Sequence, residues 1–242
     1  MPRPPVASRE EWLAARRALL AREKEATRLR DAIAEERRAL PMVRVDAPYV
    51  FETPDGPATL RDLFGGRTQL VVYHFMFAPT WAQGCRSCSY VMDNVEGALA
   101  HLGAADTAFV AVSRAPLAQL EAFKARMGWR FPWVSSGESD FNYDYHVTLD
   151  EARGSGEYNY EPVAALRARG EVPPDETDMP GFSVFLRDGD EVFHTYSTYL
   201  RGVDAVLNTY TLLDMTPLGR NEAHPMQWVR HRDRYPAAGV TA

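Results

Sequence analysis

Cys85 and Cys88 are the two cysteines of a chain of 242 residues, and they stand two residues apart. Two cysteines placed at random would take this spacing about once in a hundred trials, so the pairing asks for a chemical reason. Three readings fit a Cys-x-x-Cys: a redox pair, half of a metal site, or two small apolar side chains that are neighbours. The surrounding stretch "YHFMFAPTWAQGCRSCSYVMDN" (73–94) favours the first, because Gly84, Arg86, Ser87 and Ser89 do not resemble core. In a redox pair the thiolate is the nucleophile. An ordinary thiol with a pKa near 8.5 is only about 3% thiolate at pH 7, whereas one near 6.5 is roughly 75%. Cys85 therefore reads as the attacking thiol, with Arg86 beside it as a cation favouring thiolate. Cys88 reads as the resolving thiol.

The metal alternative is narrower. Zinc wants four ligands, and the spacing of the six histidines completes no zinc set. A copper site built from Cys85, Cys88 and one histidine, His74 being the candidate, is the form left open. His74 otherwise reads as a base for Cys88, a tuner of Cys85, or a hydrogen-bonded core histidine. Arg114 ends a later strand in "VSRAP". It reads as a thiolate stabiliser, an anion-binding residue or a surface arginine. No cofactor other than the copper alternative is expected.

These residues need elements to position them. "QLVVYHFMF" (69–77) is an apolar, β-prone run, expected as a strand buried on both faces. After a connector, Cys88, Val91, Val95, Leu99 and Leu102 recur three or four apart, as on one face of a helix, with Gly103 at its end. Cys85 then sits at the helix start, where free N–H groups and the dipole favour an anion. Cβ atoms three apart inside a helix lie about 5–6 Å apart, too far for a disulfide that wants about 3.8 Å, but a residue at the first turn can relax and close that gap. "TAFVAVS" (107–113) is the next strand. Pro116 to Met127 reads as a helix closed by Gly128, and "FPWVSS" (131–136) as a third strand.

Residues 137–178 read as loop with a helical piece near 161–169. Met179-Pro180 then leads into a hairpin over 181–199 that turns at Asp188-Gly189, and 204–213 reads as a closing helix. The order, two parallel crossovers followed by an antiparallel pair, predicts an α/β fold: a thioredoxin-like mixed sheet flanked by helices. In that plan the position of Pro180 carries a cis-proline facing the disulfide, although trans is the default for an X–Pro bond.

Ahead of this lies "SREEWLAARRALLAREKEATRLRDAIAEERRAL", expected as one polar helix opened by a capping box of Ser8 and Glu11 and stopped by Pro41. Its apolar stripe is thin: Trp12, Leu19, Ala26 and Ile33 every seven residues. Such a helix, roughly 45 Å long, either covers a surface or pairs with another chain. The expected division is an N-terminal helical extension (1–42), a thioredoxin-like domain (43–214) and a C-terminal tail packed on it (215–242).

Composition limits the partners. The net charge is −6 and no basic patch alternates with aromatics, so nucleic acid is not expected. The start carries no apolar run of a secretory signal, and the longest apolar run falls short of the about 20 residues that span a bilayer. The expectation is a soluble, cytoplasmic protein without a membrane partner, in a compartment where structural disulfides are rare.

The stretches "EWLAARRALLAREKEATRLRD" (11–31), "LVVYHFMFAPTWAQGCRSCS" (70–89), "FVAVSRAPLAQLEAFKARMGWRFPWVSS" (109–136), "DFNYDYHV" (140–147) and "GFSVFLRDGDEVFHTYSTYLRG" (181–202) resemble the bacterial DUF899 family. That family is thioredoxin-like and labelled a predicted dithiol–disulfide oxidoreductase. The resemblance implies that fold with a helical extension, and puts the site at Cys85 and Cys88. The chain departs from thioredoxin in having Gly84 before the first cysteine and Arg86-Ser87 between the two. It departs from the peroxiredoxin pattern in having Ala82 where a threonine belongs. Three functions follow as expectations: a thiol–disulfide oxidoreductase acting on a small-molecule or protein disulfide, with an unspecified electron donor; a copper-binding enzyme or carrier; or a redox-inactive assembly protein. A homodimer through the N-terminal helix is expected in the last and compatible with the others.

Overall fold

A computed structural model describes residues 3–137, 139–173, 175 and 177–236. The ends of the expected extension and tail, 1–2 and 237–242, lie outside them. Helix α1 (Arg9–Arg38) opens on the expected capping box. The Ser8 hydroxyl accepts from the Glu11 N–H, and the Glu11 carboxylate accepts from the Ser8 N–H at 2.8 Å. Acidic residues in its first turn and arginines in its last oppose the helix dipole favourably. None of its 30 residues is buried. Its base is tied to the body by Arg37, whose guanidinium lies 4.5 Å from the centre of the Tyr196 ring.

The body follows as β1 (Val43–Arg44), β2 (Val50–Thr53), β3 (Gly56–Thr59), β4 (Gln69–His74), α2 (Arg86–Val95), α3 (Leu99–Ala104), β5 (Thr107–Ser113), α4 (Leu117–Met127) and β6 (Trp133–Ser135). Then come α5 (Phe141–Asp144), a small pair β7 (Glu157–Tyr158) and β8 (Glu161–Pro162), and α6 (Val163–Ala168). The hairpin β9 (Gly181–Asp188) and β10 (Glu191–Tyr199) and helix α7 (Asn208–Asp214) complete the list. One eight-stranded sheet runs β1-β10-β9-β4-β5-β6-β2-β3. β4, β5 and β6 are parallel, while β9 lies antiparallel to β4 and β10 to β9. A parallel strand–helix–strand unit flanked by an antiparallel hairpin is the thioredoxin-like arrangement.

Alternation along β4 divides the interior. Tyr73, followed by Phe75 and Phe77, faces α2, α4 and α7 in one apolar cluster. Leu70, Val72 and His74 face the other side, covered by the β2–β3 hairpin, a single helical turn at Asp62–Phe64, and α5. The predicted strand 69–77 stops its regular pairing at His74. The predicted long helix is broken by a 3₁₀ turn at Glu96–Ala98, and Gly103 lies inside α3 rather than at its cap. α4 keeps its predicted end, with Gly128 left-handed at φ 65°.

Candidate functional site

The connector between β4 and α2 brings the thiols together through one residue. The Met76 carbonyl accepts the Cys85 N–H at 3.0 Å, and the Met76 N–H points at the Cys88 sulfur at 3.4 Å. Phe75 and Phe77 anchor the loop in the core, and the Phe75 carbonyl accepts from the Ser113 hydroxyl at 2.7 Å. Gly84 makes the close return possible: a Cβ there would stand 2.7 Å from the Phe75 ring. Cys85 is the N-cap of α2, outside the helix at ψ 133°, and half-buried. Cys88 is buried on the first turn. Both are thiols, and they lie near each other.

Burial raises the Cys88 pKa well above that of an ordinary thiol, and the hydrogen bond and charge of Cys85 raise it further. The Tyr73 hydroxyl and the Met76 N–H act in the opposite direction. Tyr73 is fully buried and its phenol lies beside Cys88 without a full hydrogen bond to it. Next to them is a cavity of ≈ 210 Å³ lined by Tyr73, Cys88, Pro180, Val203, Tyr210 and Met226. Pro180 lines the same cavity as Cys88, and its peptide bond is trans, not the cis of the thioredoxin plan.

The C-terminal segment forms much of the remaining wall. Tyr210 accepts the Met226 N–H at 2.7 Å, and Trp228 stacks edge-on against Tyr90. His231 Nε2 donates to the Gly84 carbonyl at 2.9 Å, and Arg126 pairs with Asp233 through two hydrogen bonds. Arg86, Arg230 and Arg234 line a second hollow of ≈ 380 Å³ at Cys85. Sequence reasoning missed Tyr73 and all of these tail residues. Tyr73 has a signal in hindsight, since it shares the strand parity of Phe75 and Phe77. The tail contacts have none, because Gly84 and His231 are 147 positions apart.

His74 is not beside the cysteines. It lies on the opposite face of the sheet, against Phe141 and Tyr145. Its Nε2 joins Ser183, Ser197 and His194 Nε2 in a chain of hydrogen bonds, each 2.8 Å. Burial lowers its pKa to about 3, and the neighbouring His194 adds to this. The triad Cys85, Cys88 and His74 therefore does not converge. Among the described residues no group of three His, Cys, Asp or Glu side chains is placed to hold a metal ion.

Arg114 does not face the thiols as a bare cation. Its Nε donates to Asp178 at 3.0 Å, and Asp178 also accepts from Thr148 at 2.9 Å. Both partners of the ion pair are largely buried, so it fixes the approach to Met179 and Pro180. Arg86 does sit beside Cys85, exposed.

The family described as "Bacterial protein of unknown function (DUF899)" matches residues 1–235. No curated protein matches the sequence. Among solved structures, peroxiredoxin Q of Xanthomonas campestris is 17% identical with a TM-score of 0.44, covering 72% of this chain and 98% of its own. A secreted Mycobacterium tuberculosis disulfide oxidoreductase is 17% identical with a TM-score of 0.33, covering 69% and 96%. A putative protein disulfide isomerase from Bacteroides thetaiotaomicron is 19% identical with a TM-score of 0.40, covering 73% and 92%. No helix among the described residues is long and apolar enough to cross a membrane.

Proposed function

The chain belongs to the DUF899 family of bacterial proteins, and we propose that it is a cytoplasmic thiol–disulfide oxidoreductase whose working pair is Cys85 and Cys88. The observation that carries this reading is the asymmetry of the pair: a half-buried thiol at an open helix N-cap, in reach of a buried one beside a cavity. The Cys85 thiolate attacks a disulfide sulfur, the S–S bond breaks, and one thiol leaves. Cys88 then loses its proton, attacks the Cys85 sulfur of the mixed disulfide, and releases the second thiol. Two electrons and two protons pass from the dithiol to the substrate, leaving a Cys85–Cys88 disulfide. An external thiol reductant restores the pair.

The electrostatics support this order. Burial holds the Cys88 proton in place, and a charged Cys85 adds to it. Once Cys85 is tied up in the mixed disulfide, that charge is gone, and the Tyr73 hydroxyl is left to stabilise the Cys88 thiolate. The test is a Cys88→Ser variant incubated with oxidised low-molecular-weight disulfides. Mass spectrometry should find an adduct on Cys85, absent in Cys85→Ser. No adduct on Cys85 with any disulfide would sink the reading.

A second reading concerns α1, and it is supported by a helix of 30 residues with no buried position. Trp12, Leu19, Leu29 and Ile33 are exposed on it. We infer that α1 pairs with a second copy of the chain. Light scattering should give a dimer for the full chain and a monomer after deletion of residues 1–40. A full chain that is already monomeric refutes this.

A further inference from the structure

The hollow on the Cys85 side differs in kind from the one on the Cys88 side. It is lined by Cys85 itself, by Trp81, and by the three arginines Arg86, Arg230 and Arg234. The chain as a whole carries −6, yet among the described residues no aspartate or glutamate lines this hollow. The nearby acids are already engaged. Asp233 gives both oxygens to Arg126, at 2.8 and 2.9 Å, and Asp93 accepts the Trp129 indole N–H at 2.7 Å and faces Arg232 at 3.6 Å. Arg230 is held by its own backbone: its Nη1 donates to the carbonyls of Gln227 and Val229 at 3.1 and 2.9 Å. That leaves Nε and Nη2 of the fork for an outside acceptor. The segment is pinned close to the thiol by the His231 to Gly84 hydrogen bond. At ≈ 380 Å³ the hollow is a broad, open one with the volume of a small-molecule site.

We propose that this hollow selects the substrate: a low-molecular-weight disulfide whose thiol halves carry carboxylates, held by Arg86, Arg230 and Arg234 with one sulfur against Cys85. This rests on the oxidoreductase reading and adds a substrate class to it. The chemistry is unchanged. The carboxylate-bearing half leaves as its thiolate and takes up a proton, and the cations that held it also offset the charge it develops.

The arginines would also favour the Cys85 thiolate, so the test must separate binding from reactivity. Three disulfides of similar size do so: 3,3′-dithiodipropionate (anionic), bis(2-hydroxyethyl) disulfide (neutral) and cystamine (cationic). The full-length reduced protein should consume the anionic one with a kcat/KM about tenfold or more above the neutral one, and the cationic one most slowly. In Arg230→Gln/Arg234→Gln the ratio of anionic to neutral rates should fall about tenfold, and raising the salt should shrink it in the unaltered protein. Equal rates for all three disulfides, or a double variant that slows anionic and neutral substrates alike, overturns the proposal and leaves the oxidoreductase reading standing. Failure of all three to oxidise the pair overturns both. The two positions are exposed, and an unchanged circular dichroism spectrum and melting temperature exclude misfolding as the cause.

Discussion

Tyr73 and His74 are consecutive on β4 and equally buried, yet they face different chemistries. Tyr73 turns its hydroxyl toward Cys88 and a cavity. His74 turns its Nε2 into a run of serine hydroxyls that ends at a second histidine, while its Nδ1 is buried without a hydrogen-bond partner. A buried titratable group near a nucleophile in sequence is therefore not evidence of a site. What distinguishes the two is whether the polar atom meets a void and a reactive group, or other polar atoms that absorb it.

The largest expected effect lies at the C-terminal end of β5, where Arg114 meets Asp178. Arg114→Met strands the Asp178 carboxylate, and should cost about 3–5 kcal/mol of unfolding free energy in a urea titration. A second change, Asp178→Leu, should recover much of it. A loss below about 1 kcal/mol would mean that the pair is not part of the frame.

Next comes the His74 face. The folded-state pKa of about 3 lies below the unfolded value of about 6.5, so the neutral ring contributes its full stability above pH 6.5. That contribution is lost as the pH falls from 6.5 toward 3, at up to about 1.4 kcal/mol per pH unit. His74→Gln should flatten part of this acid slope. His194, also lowered by burial, should keep the remainder. Because His74 lies across the sheet from the thiols, disulfide exchange in this variant should stay within about threefold of wild type. A larger drop would erase the contrast between the faces.

The smallest expected effect is on the other side. Tyr73→Phe removes one hydrogen-bond donor worth about 1–1.5 kcal/mol, so resolution by Cys88 should slow about tenfold. Alkylation of Cys85 should keep its rate. Rapid quenching with mass spectrometry would find the mixed disulfide persisting. Resolution at the wild-type rate would deny Tyr73 its role.

Much of the fold was legible because its signals are local. The Ser8–Glu11 box, the strand at 107–113, Gly128 and the hairpin turn each declare themselves within a few residues. The order of those elements then leaves few topologies. The spacing of the cysteines and the place of Pro180 ahead of the hairpin are local signals of the same kind. Of the readings of His74 the structure has the hydrogen-bonded core histidine; the sequence left the choice open because β4 is buried on both faces, so hydrophobicity does not say which parity meets α2. Arg114 looked available because its partner, Asp178, lies in a stretch without periodicity. Tyr73 was overshadowed by its neighbour. The arginine-lined wall depends on contacts between residues 81–86 and 230–234, which leave no pattern in either segment.

That wall also sets a clock. The His231 to Gly84 bond spans 147 positions. At a synthesis rate of about 5–20 residues per second, the nascent chain carries both cysteines for about 7–30 s before the segment that encloses them is made. During that interval the arginines of residues 230–234 are absent, so the thiols meet the surrounding thiol pool before the wall that would select among its members has been made.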